Sequence, residues 1–376
     1  MYFAESLTPG LLHTYSALYT DFCQRAESDY GWDQPPLPFE ALGELLNLGE
    51  VYGYGLQTLG GDEPAGLMLY RKEAHRSLEI NLIIESPEAQ KNHKVFLDVL
   101  MRKFLADARK IPNWDVMSYA MLGVQHELIN TITWYGFKPV GQAIVNFSMM
   151  EPLPIQVLKT RVFPPLPEGM RILTWLEAKK SGLLTPEFMR ELKQSIFEAF
   201  SGATDALWDP RFRTMAGIDQ VMQLVTSGAM GDFVPEATTL LLDAQDTPVG
   251  FCFMVQTGML KMNIPLIGLR TALKGQKLSR QVLHKAVDAC VDGMLGGSLA
   301  VMNINATLDT DNGAAIKMYR AIGFQEQSHY PHVYLPRKTI QPDYHEVDET
   351  VSAAKHPSLW VSQQLNPAYD HPATQF

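Results

Sequence analysis

One short pattern occurs twice in this chain and constrains its fold more than any other feature. The stretches DEPAGLMLY, from Asp62, and DTPVGFCFM, from Asp246, each combine Asp, Pro and Gly with a following apolar run. This combination is typical of a β-hairpin, because Pro and Gly favour the turn and the apolar run forms a strand. The same hairpin pattern at two positions about 180 residues apart predicts two copies of one domain.

The segments around the hairpins repeat in the same order. Thr8-Pro9 and Thr185-Pro186 each precede apolar residues at helical spacing, and Thr as N-cap with Pro at the first helical position predicts a helix start. Each half continues with a third strand, an amphipathic helix, a fourth strand and a last helix that ends at Gly-Phe. The nearly constant offset of these landmarks predicts a tandem repeat of an α/β domain.

Proline marks the boundary between the two copies. Prolines recur through residues 151–169, where they lack an amide donor and force extended neighbours, so we expect a stiff connector outside either core. The predicted domains are therefore 1–150 and 170–338. Residues 339–376 show no clear period and are expected to form a tail.

Charge and cysteine content narrow the function. A formal net charge of −10 argues against nucleic acid or an anionic membrane as partner, because both need a basic face. Cys23, Cys252 and Cys290 have neither metal-ligand nor disulfide spacing. We therefore predict no metal site and a cytoplasmic location.

The last helix of the second half carries the most specific pattern. In DNGAAIKMYRAIGF, Asn312 is followed by Ala315, Tyr319, Gly323 and Phe324 at spacings of three, seven, eleven and twelve residues. This order resembles the N-x-x-A-x-x-x-Y-x-x-x-G-F signature of the GNAT superfamily of N-acyltransferases. The resemblance implies a mixed, mostly antiparallel sheet flanked by helices in each domain. It also implies acetyl-CoA or another acyl-CoA as co-substrate and a small-molecule or peptide amine as acceptor.

The resemblance gives two residues of this helix a role. Asn312 occupies the N-cap position and would lie near coenzyme A, while Tyr319 would protonate the departing thiolate as a general acid. An alternative stays open, since any α/β protein can hold a half-buried Tyr on an amphipathic helix that ends at a Gly cap.

The family's second signature, [Q/R]-x-x-G-x-[G/A], is a loop whose backbone amides hold the pyrophosphate of coenzyme A at a helix N-terminus. Lys277 and Ser279 stand where Gly and a small residue are usual, and Lys274 replaces Gln or Arg. The lysines would offer charge to phosphates or form a solvated surface, and the sequence favours neither. The aligned residues are Lys274, Gly275, Gln276, Lys277, Leu278 and Ser279.

The first half departs further from both signatures. His93 and Val95 fill the two small-residue positions of its loop, and Gln125, Leu128 and Ile132 replace Asn, Ala and Tyr in its last helix. We therefore expect a degenerate copy without acyl-CoA binding, and an active site in the second half.

A base is also needed, because an ammonium has no lone pair for attack. The strand before the second loop, KMNIPLIGLRTAL, contains no carboxylate. The sequence leaves the base open among Asp243, Asp309, Asp311, Glu326, His329 and His332. The alternative function is a non-catalytic acyl-CoA-binding or interaction protein built from two degenerate domains.

Overall fold

The structure is a computed structural model that describes residues 2–30, 37–59, 63–121 and 128–340. Asp62, Gln125 and the predicted tail from residue 341 onward lie outside these ranges.

Strands and helices alternate in the order that the repeat predicts. The strands are β1 (Tyr2–Ser6), β2 (Tyr52–Thr58), β3 (Pro64–Glu73), β4 (Ser77–Glu85), β5 (Val116–Ala120), β6 (Lys138–Ser148), β7 (Arg171–Thr174), β8 (Asp232–Phe233), β9 (Thr239–Leu242), β10 (Pro248–Cys252), β11 (Val255–Gly258), β12 (Lys261–Asn263), β13 (Ile267–Leu269), β14 (Asn303–Asp309) and β15 (Gln325–Pro336). The α-helices are α1 (Pro9–Leu12), α2 (Ser16–Tyr30), α3 (Phe39–Leu48), α4 (Pro87–Gln90), α5 (His93–Lys110), α6 (Ile129–Ile132), α7 (Pro152–Thr160), α8 (Trp175–Lys180), α9 (Pro186–Phe200), α10 (Asp205–Trp208), α11 (Met215–Thr226), α12 (Leu278–Leu295) and α13 (Gly313–Ile322).

The chain forms two compact units. Unit 1 contains the chain up to Gly141 and from Tyr330 onward, and unit 2 contains Gln142–His329. The boundaries fall inside β6 and β15, so each unit takes part of a strand from the other half of the sequence.

Unit 1 is built on a mixed sheet. Strands β1 to β4 pair antiparallel in chain order, β4 and β5 pair parallel, and the end of β15 pairs antiparallel with β5 from His332 opposite Ala120 to Pro336 opposite Val116. One face of the sheet packs on α5 through fully buried side chains such as Phe96 and Phe104. The apolar residues between the start of α1 and the end of α3, including Tyr15 and Phe22, pack in a separate core with the opposite side chains of β3 and β4.

Unit 2 divides its strands between two sheets. The first contains β6, β14, β12, β11 and β8, and in it only β12 and β14 are parallel. The second contains β13, β10, β9 and β7, all antiparallel. A core around α12 and α13 and a core around α9 and α11 fill the two faces.

The repeated landmarks have the same local structure in both units. Thr8 and Thr185 cap their helices, each accepting a hydrogen bond of 3.2 Å from the amide three residues on. The glycine of each repeated hairpin also has a packing reason. A Cβ at Gly66 would lie 2.2 Å from the Phe96 ring, and one at Gly250 would lie 2.4 Å from the Leu269 side chain. These predictions of helix starts and hairpins are confirmed.

The expectation that residues 151–169 form a stiff connector outside either core is wrong for the first part of that segment. Pro152–Thr160 forms helix α7, because Pro152 stands at the first helical position, where no amide donor is required. Leu158 is fully buried in the core of unit 2, and Phe163 and Leu166 pack against that core.

Candidate active site

Two neighbouring parallel strands of unit 2 separate midway along their length. Strand β12 pairs with β14 from Lys261 opposite Asn303 to Asn263 opposite Asn305, and the last bond of this ladder joins the Ile264 amide to the Asn305 carbonyl at 2.9 Å. Beyond this point the chain continues as β13, which pairs only with β10, while β14 continues beside β6. The edges of β13 and β14 thus diverge as a V.

The backbone of β13 presents free hydrogen-bonding groups toward this divergence. The Leu266 carbonyl and the Arg270 amide both bond to the β10 side, at 2.8 and 2.9 Å. Since bonding directions alternate along an antiparallel strand, the amides and carbonyls of Ile267 and Leu269 face away from β10. By the same alternation, Thr307 on β14 faces away from β6. An extended amide-containing chain can bond to such edges as an added strand.

Helix α12 begins where β13 and its following loop end. The loop turns through two left-handed residues, Gly275 with φ 86° and Lys277 with φ 63°. A Cβ at Gly275 would meet nothing within 4 Å, so this glycine is required by its backbone angle rather than by crowding. Lys277 adopts the same region without that freedom, at a cost of about 1 kcal/mol. It is the N-cap of α12 and makes no side-chain capping bond.

The other loop residues have distinct surroundings. The Lys274 ammonium lies 3.5 Å from the Ala199 carbonyl at the end of α9, and the Gln276 side chain donates to the Ala272 carbonyl at 3.3 Å. Leu278 is buried in the core, and Ser279 is partly buried. The backbone amides of Leu278 and Ser279 lie in the first turn of α12, where a helix leaves its amides without intrahelical partners.

A half-buried arginine fixes the start of this loop. Arg270 donates from Nε to Ser195 Oγ at 2.8 Å and from Nη2 to Glu191 Oε2 at 2.8 Å. Ser195 donates in turn to the Pro248 carbonyl at 2.6 Å. The loop between β13 and α12 is thus tied to helix α9 by charged hydrogen bonds.

In helix α13, Asn312 caps the N-terminus, whereas Tyr319 is buried in the core. The Asn312 side chain accepts from the Ala315 amide at 3.0 Å, so the predicted N-cap is confirmed. Tyr319 is 3 % exposed and packs edge-on against Phe324, with ring centroids 5.0 Å apart. Burial first, and the nearby Cys252 second, hold the pKa of Tyr319 well above its ordinary value. Its hydroxyl therefore keeps its proton at neutral pH.

A pair of carboxylates lies at the carboxyl end of β14. Asp309 is 8 % exposed and accepts a hydrogen bond from the Gln142 side chain. Burial raises the pKa of Asp309, and the charge of Asp311 adds to this effect. Burial and then the charge of Asp309 raise the pKa of Asp205 to about 6. Sequence reasoning missed Asp205, which belongs to no recognisable motif and becomes notable only through its neighbour.

The corresponding helix start in unit 1 lies beside a carboxylate. Strand β4 ends at Glu85, which is 7 % exposed, and its Oε2 lies 2.6 Å from Nδ1 of His93, the first residue of α5. A negative charge therefore already occupies the helix N-terminus, where the partial positive charge of the backbone amides stabilises it. Sequence reasoning noticed that His93 fills a small-residue position of the loop, but it did not identify Glu85 as the partner of His93.

Comparison with solved structures gives this arrangement a family context. A GCN5-related N-acetyltransferase from Sphaerobacter thermophilus superimposes with a TM-score of 0.56 at 15 % identity, over 89 % of this chain and 96 % of that one. A tandem GNAT protein from the clavulanic acid biosynthesis pathway superimposes with a TM-score of 0.53 at 12 % identity, over 90 % of this chain and 99 % of that one. No family model and no curated protein sequence matches.

The chain has a tandem GNAT fold. The predicted fold class, two GNAT-like domains with mixed sheets flanked by helices, is confirmed. Within the described ranges no helix is long and apolar enough to cross a membrane, and no group of three His, Cys, Asp or Glu side chains is placed to hold a metal ion.

The GNAT fold of unit 2 brings some of the candidate bases toward the divergent strands and leaves others elsewhere. Asp309 ends β14, whereas Asp243 accepts from the amides of Gln245 and Thr247 within a tight turn. Glu326 pairs with Arg320 and with His329. His332 belongs to unit 1, where burial lowers its pKa to about 4.

In unit 1 the position of the GNAT tyrosine is apolar. Ile132 is fully buried in the core around α5, and Leu128 is nearly so. No titratable group is thus available at either of these positions of the last helix.

Proposed function

We propose that unit 2 transfers an acyl group from acyl-CoA, most simply acetyl-CoA, to an amine. The observation that carries the proposal is the divergence of β13 from β14, which leaves strand edges free beside the start of α12. The GNAT fold of solved acetyltransferases supports the same reaction class. The acceptor would be a small molecule or peptide.

The free edges suit the pantetheine arm of coenzyme A, which is an extended chain with two amides. The outward amides of Ile267 and Leu269 would bond to it and would polarise the thioester carbonyl, whose oxygen gains negative charge during attack. Acyl-CoA supplies an activated carbonyl, and the strand edges would hold it in position.

The loop before α12 would bind the pyrophosphate. Its contributions are the left-handed turn at Gly275 and Lys277 and the free amides of Leu278 and Ser279 at the helix N-terminus. Lys277 adds a full positive charge. Lys274, Gln276 and Asn312 are proposed as further contacts, although each also makes a hydrogen bond within the protein.

Tyr319 is proposed as the general acid. Because burial keeps its hydroxyl protonated, it would deliver a proton to the thiolate as the carbon–sulfur bond breaks. The rest of its ring would remain in the core, where Phe324 fixes its orientation.

Asp205 is proposed as the base, with Asp309 as the residue that tunes it. A carboxylate with a pKa of about 6 is largely ionised at neutral pH and still basic enough to receive a proton from an incoming ammonium. Asp309 lies on the strand that borders the divergence, and its charge contributes to that raised pKa.

The competing hypothesis is a protein that binds acyl-CoA without turnover. The two hypotheses separate in one experiment with two measurements. The first is thermal unfolding with and without acetyl-CoA and longer acyl-CoAs, where a ligand at about a hundred times its Kd adds ~2.7 kcal/mol of stability. The second is thiol release with a panel of amines. Stabilisation together with thiol release supports the transferase, and stabilisation alone supports the binding protein. If neither stabilisation nor thiol release is observed, both hypotheses are excluded.

A further inference from the structure

One face of the first sheet of unit 2 is polar. Along β14 the side chains of Ile304, Ala306 and Leu308 pack in the core around α12 and α13. Since side chains alternate along a strand, the residues between them lie on the opposite face of the sheet. These residues are Asn303, Asn305, Thr307 and Asp309, and their partners on β6 are Ser148, Asn146, Ile144 and Gln142.

Strand β12 extends the polar face. Met262 packs in the core around α12, so its neighbour Asn263, which lies opposite Asn305, is on the polar side. Four asparagines thus stand together on three adjacent strands, and we call them the amide row: Asn146, Asn263, Asn303 and Asn305. All four are partly buried and the adjacent Thr307 is exposed, so a ligand can reach the row from solvent.

The amide row has hydrogen-bonding capacity that the protein does not use. Asn146 Nδ2 donates to Asn305 Oδ1 at 2.5 Å. A carboxamide has two N–H donors and an oxygen with two lone pairs, so this pair keeps both donors and acceptors for other partners. Within the described ranges, the side chains of Asn263 and Asn303 make no hydrogen bond to the protein.

The corresponding strand of unit 1 has no such row. In β5, Met117 and Tyr119 pack in the core around α5, so Val116 and Ser118 lie on the opposite face. Both are buried, at 0 and 5 % exposure. A second copy of the fold therefore forms without the asparagines, and a structural requirement does not account for them in unit 2.

The polar face leads to a carboxylate at the divergence of the strands. Asn305 accepts the last ladder bond before β12 leaves β14, and Asp309 lies four residues further along the same face. The Cα atoms of these two residues are about 13 Å apart in an extended strand, so side chains of this length can contact opposite ends of one sugar ring. Thr307 stands between them and contributes a hydroxyl.

The two parts of this face suit different groups of one ligand. A carboxylate attracts an ammonium. Neutral amides both donate and accept, which matches hydroxyl groups, since each hydroxyl also does both. An apolar amine would displace water from the amides without replacing its hydrogen bonds, which costs free energy.

We propose that the acceptor of unit 2 is a polyhydroxylated primary amine, such as an amino sugar, with its amino group at Asp309 and its hydroxyl groups on the amide row. This assignment rests on the proposed function, and it narrows the acceptor from amines in general to one class. The ammonium gives one proton to Asp205, and its nitrogen then bonds to the acyl carbon as the carbon–sulfur bond breaks. The thiolate takes a proton from Tyr319, and the second nitrogen proton replaces it.

The test measures thiol release from acetyl-CoA by wild type with three primary amines. Glucosamine is the polyhydroxylated amine, cyclohexylamine has a six-membered ring without hydroxyls, and triglycine represents a peptide. Rates are expressed per free amine base, because the three amines differ in basicity. The kcat/KM for glucosamine is expected to exceed that for cyclohexylamine by about 100-fold or more, as for a site built to bind hydroxyl groups.

Two variants test the amide row directly. Asn146→Ala and Asn305→Ala should each lower kcat/KM for glucosamine about three- to tenfold, as for one neutral hydrogen bond or two. The kcat/KM for cyclohexylamine and the thermal shift with acetyl-CoA should stay the same, and the shift also shows that the variants fold. Asn81→Ala is the matched control, because Asn81 is a partly buried asparagine on β4 of unit 1.

The outcomes separate this inference from the proposed function. Equal or faster turnover of cyclohexylamine by wild type overturns the inference and leaves the function intact, as do unchanged glucosamine rates in both row variants. A higher kcat/KM for triglycine would assign the row to a peptide and overturn the inference. Thiol release with none of the amines also overturns it, and a lack of stabilisation by acetyl-CoA would then overturn the proposed function as well.

Discussion

Helices α5 and α12 are both 18 residues long, and each starts after a strand that has left its parallel neighbour. They differ in what lies at the first turn. In unit 1, Glu85 at the end of β4 pairs with His93. The first turn itself contains no acidic residue in either helix, and in unit 2 Lys277 and Arg280 stand there.

The difference bears on which of the two helix starts can accept an anion. A helix N-terminus attracts one negative charge, and a buried carboxylate in that place repels a phosphate. In unit 1 the Glu85 carboxylate offsets the partial positive charge at the N-terminus of α5. In unit 2 no such carboxylate is paired at the described helix start, and this contrast is why we propose that unit 2 binds acyl-CoA.

The largest effect is expected at the last helix, where unit 2 has Tyr319 and unit 1 has Ile132. Tyr319→Phe removes the proposed proton donor but keeps the packed ring, so turnover should fall about 100-fold while acetyl-CoA affinity stays the same. Steady-state kinetics and calorimetry measure the two effects separately. Unchanged turnover would remove Tyr319 from the mechanism.

Lys277→Glu would make the start of α12 resemble that of α5. The added carboxylate should abolish the stabilisation by acetyl-CoA, which is ~2.7 kcal/mol at about a hundred times Kd. Thermal unfolding with and without ligand measures it. Lys180→Glu makes the same charge change elsewhere in unit 2 and should keep the ligand shift. A normal shift in Lys277→Glu would contradict the assignment of this helix start to the phosphates.

The acidic limb of the pH profile tests the carboxylate pair, which has no described counterpart at the last helix of unit 1. A base works only when deprotonated, so kcat/KM should fall below about pH 6, up to tenfold per pH unit. Asp205→Asn should lower the rate and remove this limb. Retention of the limb in that variant would exclude Asp205 as its source.

Glu85→Gln tests the closed site of unit 1. Loss of the charge next to His93 and the helix N-terminus should destabilise the protein by about 1–2 kcal/mol. The acetyl-CoA shift should stay the same. Glu88→Gln is the control, because its exposed pair with Lys91 should contribute less than about 1 kcal/mol. Equal urea unfolding curves for the two variants would show that the Glu85 pair is not structural.

The smallest effect separates the charge of Lys277 from its backbone. Lys277→Gly should relieve the left-handed strain and raise the free energy of unfolding by up to about 1 kcal/mol. Acetyl-CoA binding should weaken because the charge is lost. A loss of stability in the absence of ligand would mean that the lysine side chain supports the loop.

The fold could be predicted from sequence because its signals are local and repeated. The Thr-Pro helix starts, the Pro-Gly hairpins and the Gly-Phe helix ends each depend on a few neighbouring residues. Because every signal occurs in both halves, each copy supports the interpretation of the other. The helix at 152–160 was missed because proline was interpreted as a breaker, although Pro152 occupies the one position where a helix tolerates it.

The site could be predicted only in part. The Asn312 cap follows from spacing along one helix. Asp205 next to Asp309 and Glu85 next to His93 depend on which segments the fold brings together, and neither pair has a sequence pattern of its own.

The course of β6 has a practical consequence for dissecting this molecule. Every residue of β14, from Asn303 to Asp309, is paired with a residue of β6 between Gln142 and Ser148. A fragment cloned to start after the proline-rich segment would leave that partner strand behind and would expose the edge of β14 to self-association. A fragment meant to isolate unit 2 should therefore start before Gln142, within what the sequence repeat alone would assign to the first copy.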